Sequence, residues 1–246
     1  MRSTSLTVLA ALSALAACNL PLHRVSEDRP VRIEAGELRT MHCATHNGSI
    51  AIRGGSGTTV EGVATLSAYG NTEAEARKNL ARLELVTEIA GGELRLAVEV
   101  PDDVDGDVSF DLSAPARLMM LANTHNGSVT VSDASAGLRA GTHNGAVSIE
   151  QVATPVSLTT HNGAVRGSIL GTELEVDVRT HNGAIALSIA REASARVSAA
   201  THNGSIVLSG ASEVALAEGS ATGTYGDGRG RLTLATHNGG ITVRVP

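Results

Sequence analysis

Aromatic side chains are almost missing from this chain: its 246 residues hold one Phe, two Tyr and no Trp. Phe110, Tyr69 and Tyr225 cannot fill a wide interior, so the expected core is thin and lined by Val, Ile, Leu and Ala. Cysteine is scarce as well, Cys18 and Cys43 being the whole complement. With Cys18 acylated, as argued below, no intramolecular disulfide can form, and stability has to come from packing. Lys78 is the single lysine among 19 basic residues, the net charge is −6 at pH 7, and no basic tract is present. Nucleic acid is therefore not an expected partner. The chain has one long apolar run, Leu6 to Ala17, which is too short to span a bilayer as a stable helix.

That run follows Arg2 and ends in Leu15-Ala16-Ala17-Cys18, so residues 1–17 read as an export leader. Its last four residues resemble the bacterial lipoprotein signal, in which small residues precede the cysteine that becomes the lipidated first residue. The resemblance implies cleavage before Cys18 and attachment to a membrane through several acyl chains on that residue, since one chain binds only marginally. Asn19 rather than Asp follows, which in Gram-negative sorting implies the outer membrane. Residues 18–30 carry Pro21, Pro30 and mixed charge without a sustained period. They read as a tether, with ordered structure expected from about Val31.

What the chain has in abundance is one tetrapeptide. Thr-His-Asn-Gly begins at Thr45, Thr124, Thr142, Thr160, Thr180, Thr201 and Thr236, each copy leading into a short aliphatic stretch. From His125 the repeated histidines follow at intervals of 18, 18, 20 and 21 residues, and His237 comes 35 residues after His202, close to two further periods. A period near twenty identifies a repeat architecture. Before each corner stands an alternating strand such as Val156-Ser157-Leu158-Thr159-Thr160, and after it a second such as Ala184-Ile185-Ala186-Leu187. Two strands and two bends per repeat predict an all-β, right-handed parallel β-solenoid of about 18–21 residues per coil over 113–246, with coils stacked at about 4.8 Å. Extra residues of the longer intervals are expected to bulge at the opposite bend, after Ile169 and Ala190. The alternative is an antiparallel sandwich or meander, because Asn-Gly between apolar runs is also a strong hairpin signal. Recurrence of Thr and His as well as Asn-Gly favours columns of like side chains, hence the solenoid.

Residues 31–112 read as an N-terminal β region in which the repeat spacing is lost, 79 residues separating His46 from His125. One helix is expected there, over 72–82: Thr72 and Glu75 make a capping box, Glu73 and Arg77 can pair, and Ala76, Leu80 and Leu83 share a face. Such a helix is suited to covering the open end of a strand stack.

Within the tetrapeptide, Gly suits a sharp corner through positive φ and Asn is the next most tolerant residue. Asn side chains can also bond to the coils above and below. Asn126, Gly127, Asn144, Gly145, Asn162, Gly163, Asn182, Gly183, Asn203 and Gly204 are accordingly read as structural. If Val156, Leu158 and Thr160 face inward, His161 faces outward, so an external column of imidazoles is expected. Its bland role is to cover the corner. Its sharper one is metal capture by His125, His143, His161, His181 and His202, sharing Zn, Cu or Ni between adjacent rings. No acid or thiolate recurs with them to close a four-ligand site. Acidification would load the column with charge.

His42-Cys43 looks like a further ligand pair, but alternation puts the two on opposite faces, and Cys43 reads as a small buried residue. Gly226-Asp227-Gly228-Arg229-Gly230 reads as a tight turn rather than a phosphate loop. No nucleophile with a positioned base stands out and the acids are scattered, so neither an enzyme nor a cofactor is expected.

The recurrent Thr-x-Asn-Gly-x-Ile/Val, the insert around Thr72 to Leu83, and the ending Gly226 to Val243 resemble a family of exported bacterial β-strand-repeat proteins of unknown function. Members are usually labelled adhesins and are related to the head domain of autotransporter adhesins. The resemblance covers about Val31 to Pro246. It implies a β-solenoid and a structural or adhesive role at the cell envelope, with an unidentified surface glycan or protein as partner, and it transfers no catalytic residue. The alternatives are an envelope sensor or accessory protein, and a metal-binding or pH-responsive module using the histidines.

Overall fold

A computed structural model of the chain describes residues 23–246. The leader 1–17 and Cys18 lie outside the described residues. Strands run in chain order as β1 (His23–Glu34), β2 (Thr40–Asn47), β3 (Ile50–Gly55) and β4 (Thr59–Gly70), then helix α1 (Glu73–Leu80), then β5 (Glu84–Ala90), β6 (Glu93–Glu99) and β7 (Gly106–Pro115). The repeats follow as strand pairs: β8 (Met119–Asn126) with β9 (Val129–Ser132), β10 (Leu138–Asn144) with β11 (Val147–Ala153), and β12 (Val156–Asn162) with β13 (Val165–Leu170). After them come β14 (Glu175–Asn182) with β15 (Ile185–Ile189), β16 (Ala195–Asn203) with β17 (Ile206–Leu208), the hairpin β18 (Ser212–Ala217) and β19 (Ser220–Tyr225), and finally β20 (Gly230–Asn238) with β21 (Ile241–Arg244).

Every Thr-His-Asn-Gly corner carries the chain from one sheet into the other. The strands before the corners belong to an eleven-stranded sheet, ordered β18-β19-β16-β20-β14-β12-β10-β8-β2-β6-β5. Those after them belong to a ten-stranded sheet, ordered β1-β4-β7-β3-β9-β11-β13-β15-β21-β17. Repeat strands pair parallel with their equivalents, for example Leu158 with Ala140 on one side and Val178 on the other. That pairing decides against the antiparallel meander: a hairpin would pair the two arms of one corner with each other, and here they never share a sheet. Antiparallel strands appear only at the ends of the stack, where β1, β4 and β5 close one end and β18 and β19 the other.

Alternation places the core as expected. Leu138, Val156, Val176, Leu232 and Val197 stack in one buried column of the eleven-stranded sheet. Val129, Val147, Val165, Ile185 and Ile241 face them from the ten-stranded sheet. The bends opposite the corners absorb the longer repeats, between Leu170 and Glu175 and between Ile189 and Ala195.

Two boundaries and the place of the helix differ from expectation. The tether 18–30 does not extend to residue 30, because β1 begins at His23 and pairs with β4 over its whole length, His23 opposite Gly70 and Glu34 opposite Thr59. An edge strand accepts Pro30 and mixed charge, since one side and one face meet solvent, while Val25, Val31 and Ile33 pack on the core. Nor does the stack start at residue 113: Thr45 pairs with Thr124 and Asn47 with Asn126, so β2 and β3 form a first coil continuous with the rest, and the residues between them and β8 are an insertion. Finally, α1 forms where expected, with Thr72 accepting from the Glu75 N–H at 3.2 Å and Arg77 paired to Glu73 at 2.6 Å. It packs Ala76 and Leu80 onto β4 and β1, however, and leaves the sheet edges to β1 and β5.

Candidate functional site

The seven corners are built by three parallel columns, each with its own physical cause. Threonine forms the innermost. Thr160 is buried, and its hydroxyl donates to the carbonyl oxygen of Gly145 in the neighbouring coil at 2.9 Å. Thr124, Thr142, Thr180, Thr201 and Thr236 make the same bond at 2.8–2.9 Å. Each hydroxyl therefore satisfies a carbonyl lone pair that would otherwise face a dry turn.

Asparagine forms the second column. The Asn162 amide donates to the Asn144 oxygen and accepts from Asn182, each at 2.8 Å. The chain of amides runs without a break from Asn47 through Asn126, Asn144, Asn162, Asn182 and Asn238 to Asn203, every bond pointing the same way. Interior members make two such bonds and Asn203 makes one. We predict that Asn162→Ala lowers unfolding free energy by roughly 1–2 kcal/mol and Asn203→Ala by about half of that. Urea denaturation of the two variants measures the difference, and equal losses would show that the ladder contributes nothing beyond local turn propensity.

Gly127, with Gly48 and Gly239, takes the expected positive φ, but the other four corners need glycine for a different reason. Gly145, Gly163, Gly183 and Gly204 are not in the positive-φ region. What excludes a side chain is the close approach of the coils: a Cβ on Gly163 would lie 1.8 Å from the Gly145 carbonyl oxygen. The same clash recurs at 1.9–2.2 Å for Gly127, Gly145, Gly183, Gly204 and Gly239.

Histidine forms the outermost column. All seven rings are exposed and stack face to face in the order His46, His125, His143, His161, His181, His237, His202, with centroids 4.7–4.9 Å apart and planes within 5° of parallel. The expected set His125, His143, His161, His181 and His202 is thus brought together, and His46 and His237 join it. Sequence spacing hid both. His46 is separated by the long insertion, and His237 enters between His181 and His202.

Stacking at this distance decides what the column can hold. An imidazole nitrogen binds an ion at about 2.0–2.1 Å along a lone pair lying in the ring plane. Parallel rings nearly 5 Å apart aim their lone pairs side by side, so neighbouring rings do not converge on one ion. Among the described residues no three of His, Cys, Asp and Glu are grouped to hold a metal. The shared-metal reading of the column is therefore not what this geometry provides.

The remaining candidates take structural places. Cys43 is fully buried, and burial pushes its thiol well above the usual range. His42 lies on the other face, its Nε2 3.5 Å from the Asn123 amide. Gly226 to Gly230 forms a turn locked by Ser194, whose hydroxyl donates to Asp227 and accepts from the Arg229 N–H. Ser194 and Arg229 together hold the Asp227 carboxyl below the ordinary carboxylate range.

With this geometry in hand, the chain matches the profile of the family described as Toastrack DUF4097 over residues 12–244. No curated protein matches it. Among solved structures, it is similar to a candidate cell adhesion protein from Clostridium sporogenes, at 10% identity and a TM-score of 0.49, covering 90% of this chain and 100% of that one. It is also similar to a candidate adhesin from Bacteroides fragilis, at 11% identity and a TM-score of 0.33, covering 91% and 98%.

Proposed function

We propose, for a chain that belongs to the Toastrack DUF4097 family, a non-enzymatic role as an exported, lipid-anchored envelope protein whose body is a binding surface. In this reading Cys18 carries the acyl chains, the outer membrane of a Gram-negative cell is the address, and the body is a right-handed solenoid of about 18–21 residues per coil. The observation that carries it is the regularity of the two outer faces. Thr130, Ser148, Arg166, Ala186 and Thr242 lie in one outward row of the ten-stranded sheet, and Arg139, Ser157, Asp177, Thr233 and Ser198 in one of the other. Rows of mostly short, polar side chains on rigid strands, each with one arginine, suit an extended surface glycan or protein better than a small substrate, which needs a concave pocket.

Anchoring is tested with Cys18→Ser. In a Gram-negative host the unaltered chain is expected in the membrane fraction and the variant in the soluble exported fraction, with protease accessibility on intact cells reporting which side the body faces. Equal distribution of the two proteins would remove the lipid anchor, and a body inaccessible on intact cells would remove the adhesive role.

A further inference from the structure

The histidine column is more than the corners need. Buried threonines, the amide ladder and the glycine contacts already hold successive coils in place, while the rings outside them are exposed and accept no bond from the ladder. We infer that this ridge is a binding site for a linear acidic polysaccharide, engaged when the imidazoles are protonated. The inference rests on the reading of the body as a non-enzymatic binding module and names its ligand class.

Charge around the ridge supports the assignment. Imidazole acquires its proton between about pH 5 and pH 8. Seven rings in six steps of 4.7–4.9 Å lie closer together than the screening length of about 8 Å at physiological salt, so positive charges taken up along the ridge repel one another unless an external polyanion offsets them. Two residues before each histidine, the only charged side chain is Arg179, and three residues after, there is none. One row further out lie Arg139 and Asp177 on the eleven-stranded sheet, Asp177 being paired to Arg179 at 2.8 Å, with Arg166 on the ten-stranded sheet and His42 beside Asn123. Asp111 continues the outward row beyond Ala51. Unpaired carboxylates meet the column at its ends: Asp102 and Asp105 line the hollow beside His46, and Glu218 stands in the turn whose Gly219 carbonyl accepts from Thr201. Among the described residues the central rings His125, His143, His161, His181 and His237 have no internal counter-ion. An external anion matching them must be extended and multiply charged.

Two features select a polysaccharide among polyanions. Ser49, Ser128, Ser205, Asn123 and Thr159 flank the ridge and offer hydroxyl and amide partners to sugar hydroxyls. The 19 basic residues are scattered, the net charge is −6 at pH 7, and no basic tract of the kind that holds nucleic acids at neutral pH is present.

The test uses the exported body, with heparin and polygalacturonate as probes and polyphosphate as comparison, by calorimetry at about pH 5.5 and pH 7.5. Both acidic polysaccharides are expected to bind roughly tenfold or more tightly at the lower pH, with affinity falling as salt rises. The triple variant His143→Gln, His161→Gln, His181→Gln is expected to lose that gain while keeping its circular dichroism. The triple variant His143→Arg, His161→Arg, His181→Arg is expected to bind at both pH values. Binding unaffected by the Gln changes, or absent at the lower pH in the unaltered protein, would overturn the site. Polyphosphate binding as tightly as the polysaccharides would overturn the ligand class. None of these outcomes bears on membrane attachment, which the Cys18→Ser fractionation tests separately.

Discussion

Replacing Gly163 with Ala is expected to cost about 3 kcal/mol or more of folding free energy, at the upper end of what added methyl groups cost in packed interiors. The obstacle is backbone on backbone. A Cβ there lies 1.8 Å from the Gly145 oxygen, 2.5 Å from its carbon and 3.1 Å from the Ala146 nitrogen. A side chain in the way can turn aside, whereas here both backbones are held: the Gly145 carbonyl accepts the Thr160 hydroxyl, and the Gly163 N–H donates to the main-chain carbonyl of Asn182. Relief requires spreading two coils, which stretches the ladder bonds on both sides of the corner. Gly55→Ala is the control, because nothing lies within 4 Å of a Cβ at that position, and it should fall within about 0.5 kcal/mol of the unaltered protein. Chemical denaturation of both variants checks the pair. Equal midpoints would mean that the coil spacing is not set by the absence of a side chain at the corner.

Phe110→Ala is expected to cost about 3–5 kcal/mol. Phe110 is the single phenylalanine of the chain and among the largest fully buried side chains. It lies on β7, opposite Ala64 of the antiparallel β4 and Ile50 of the parallel β3, at the joint where the N-terminal insertion meets the first coil. In a core of aliphatic side chains no neighbouring ring can swing into the space it leaves. Phe110→Leu keeps most of the volume and should cost less than about 1.5 kcal/mol. The form of the transition is as informative as its midpoint. A continuous stack loses stability on both sides of the joint, so probes in the insertion and in the later coils should shift together. A shift confined to the insertion would restore a separate N-terminal unit.

The corner was legible from the chain alone because four residue types recur together. Thr160 facing in, His161 facing out and Asn162 bonding along the stack follow from period-two alternation and one strand spacing. The helix was legible for a similar reason, its start being written locally in Thr72 and Glu75. What stayed hidden is long-range. His23 to Pro30 read as a tether because nothing local announces a partner as distant as β4. The interval from His202 to His237 read as two periods, yet it holds the antiparallel hairpin β18–β19 added to β16. The role of Gly163 was assigned to its own torsions, whereas its cause is the carbonyl of another coil, which no single repeat displays.

The order of the last coils carries a consequence for how the molecule is assembled. Strand β20 lies between β14 and β16, and β21 between β15 and β17. The coil made last is thus next to last in space. Coils can be laid down in sequence order as far as β15, but β16 and β17 rest on β20 and β21, which follow them in the chain. The layer under β16 and β17 is complete only when residues 230–244 are in place. A premature stop after Arg229 would not shorten this molecule by one layer; it would take out an inner one and leave β16 to β19 with nothing to join.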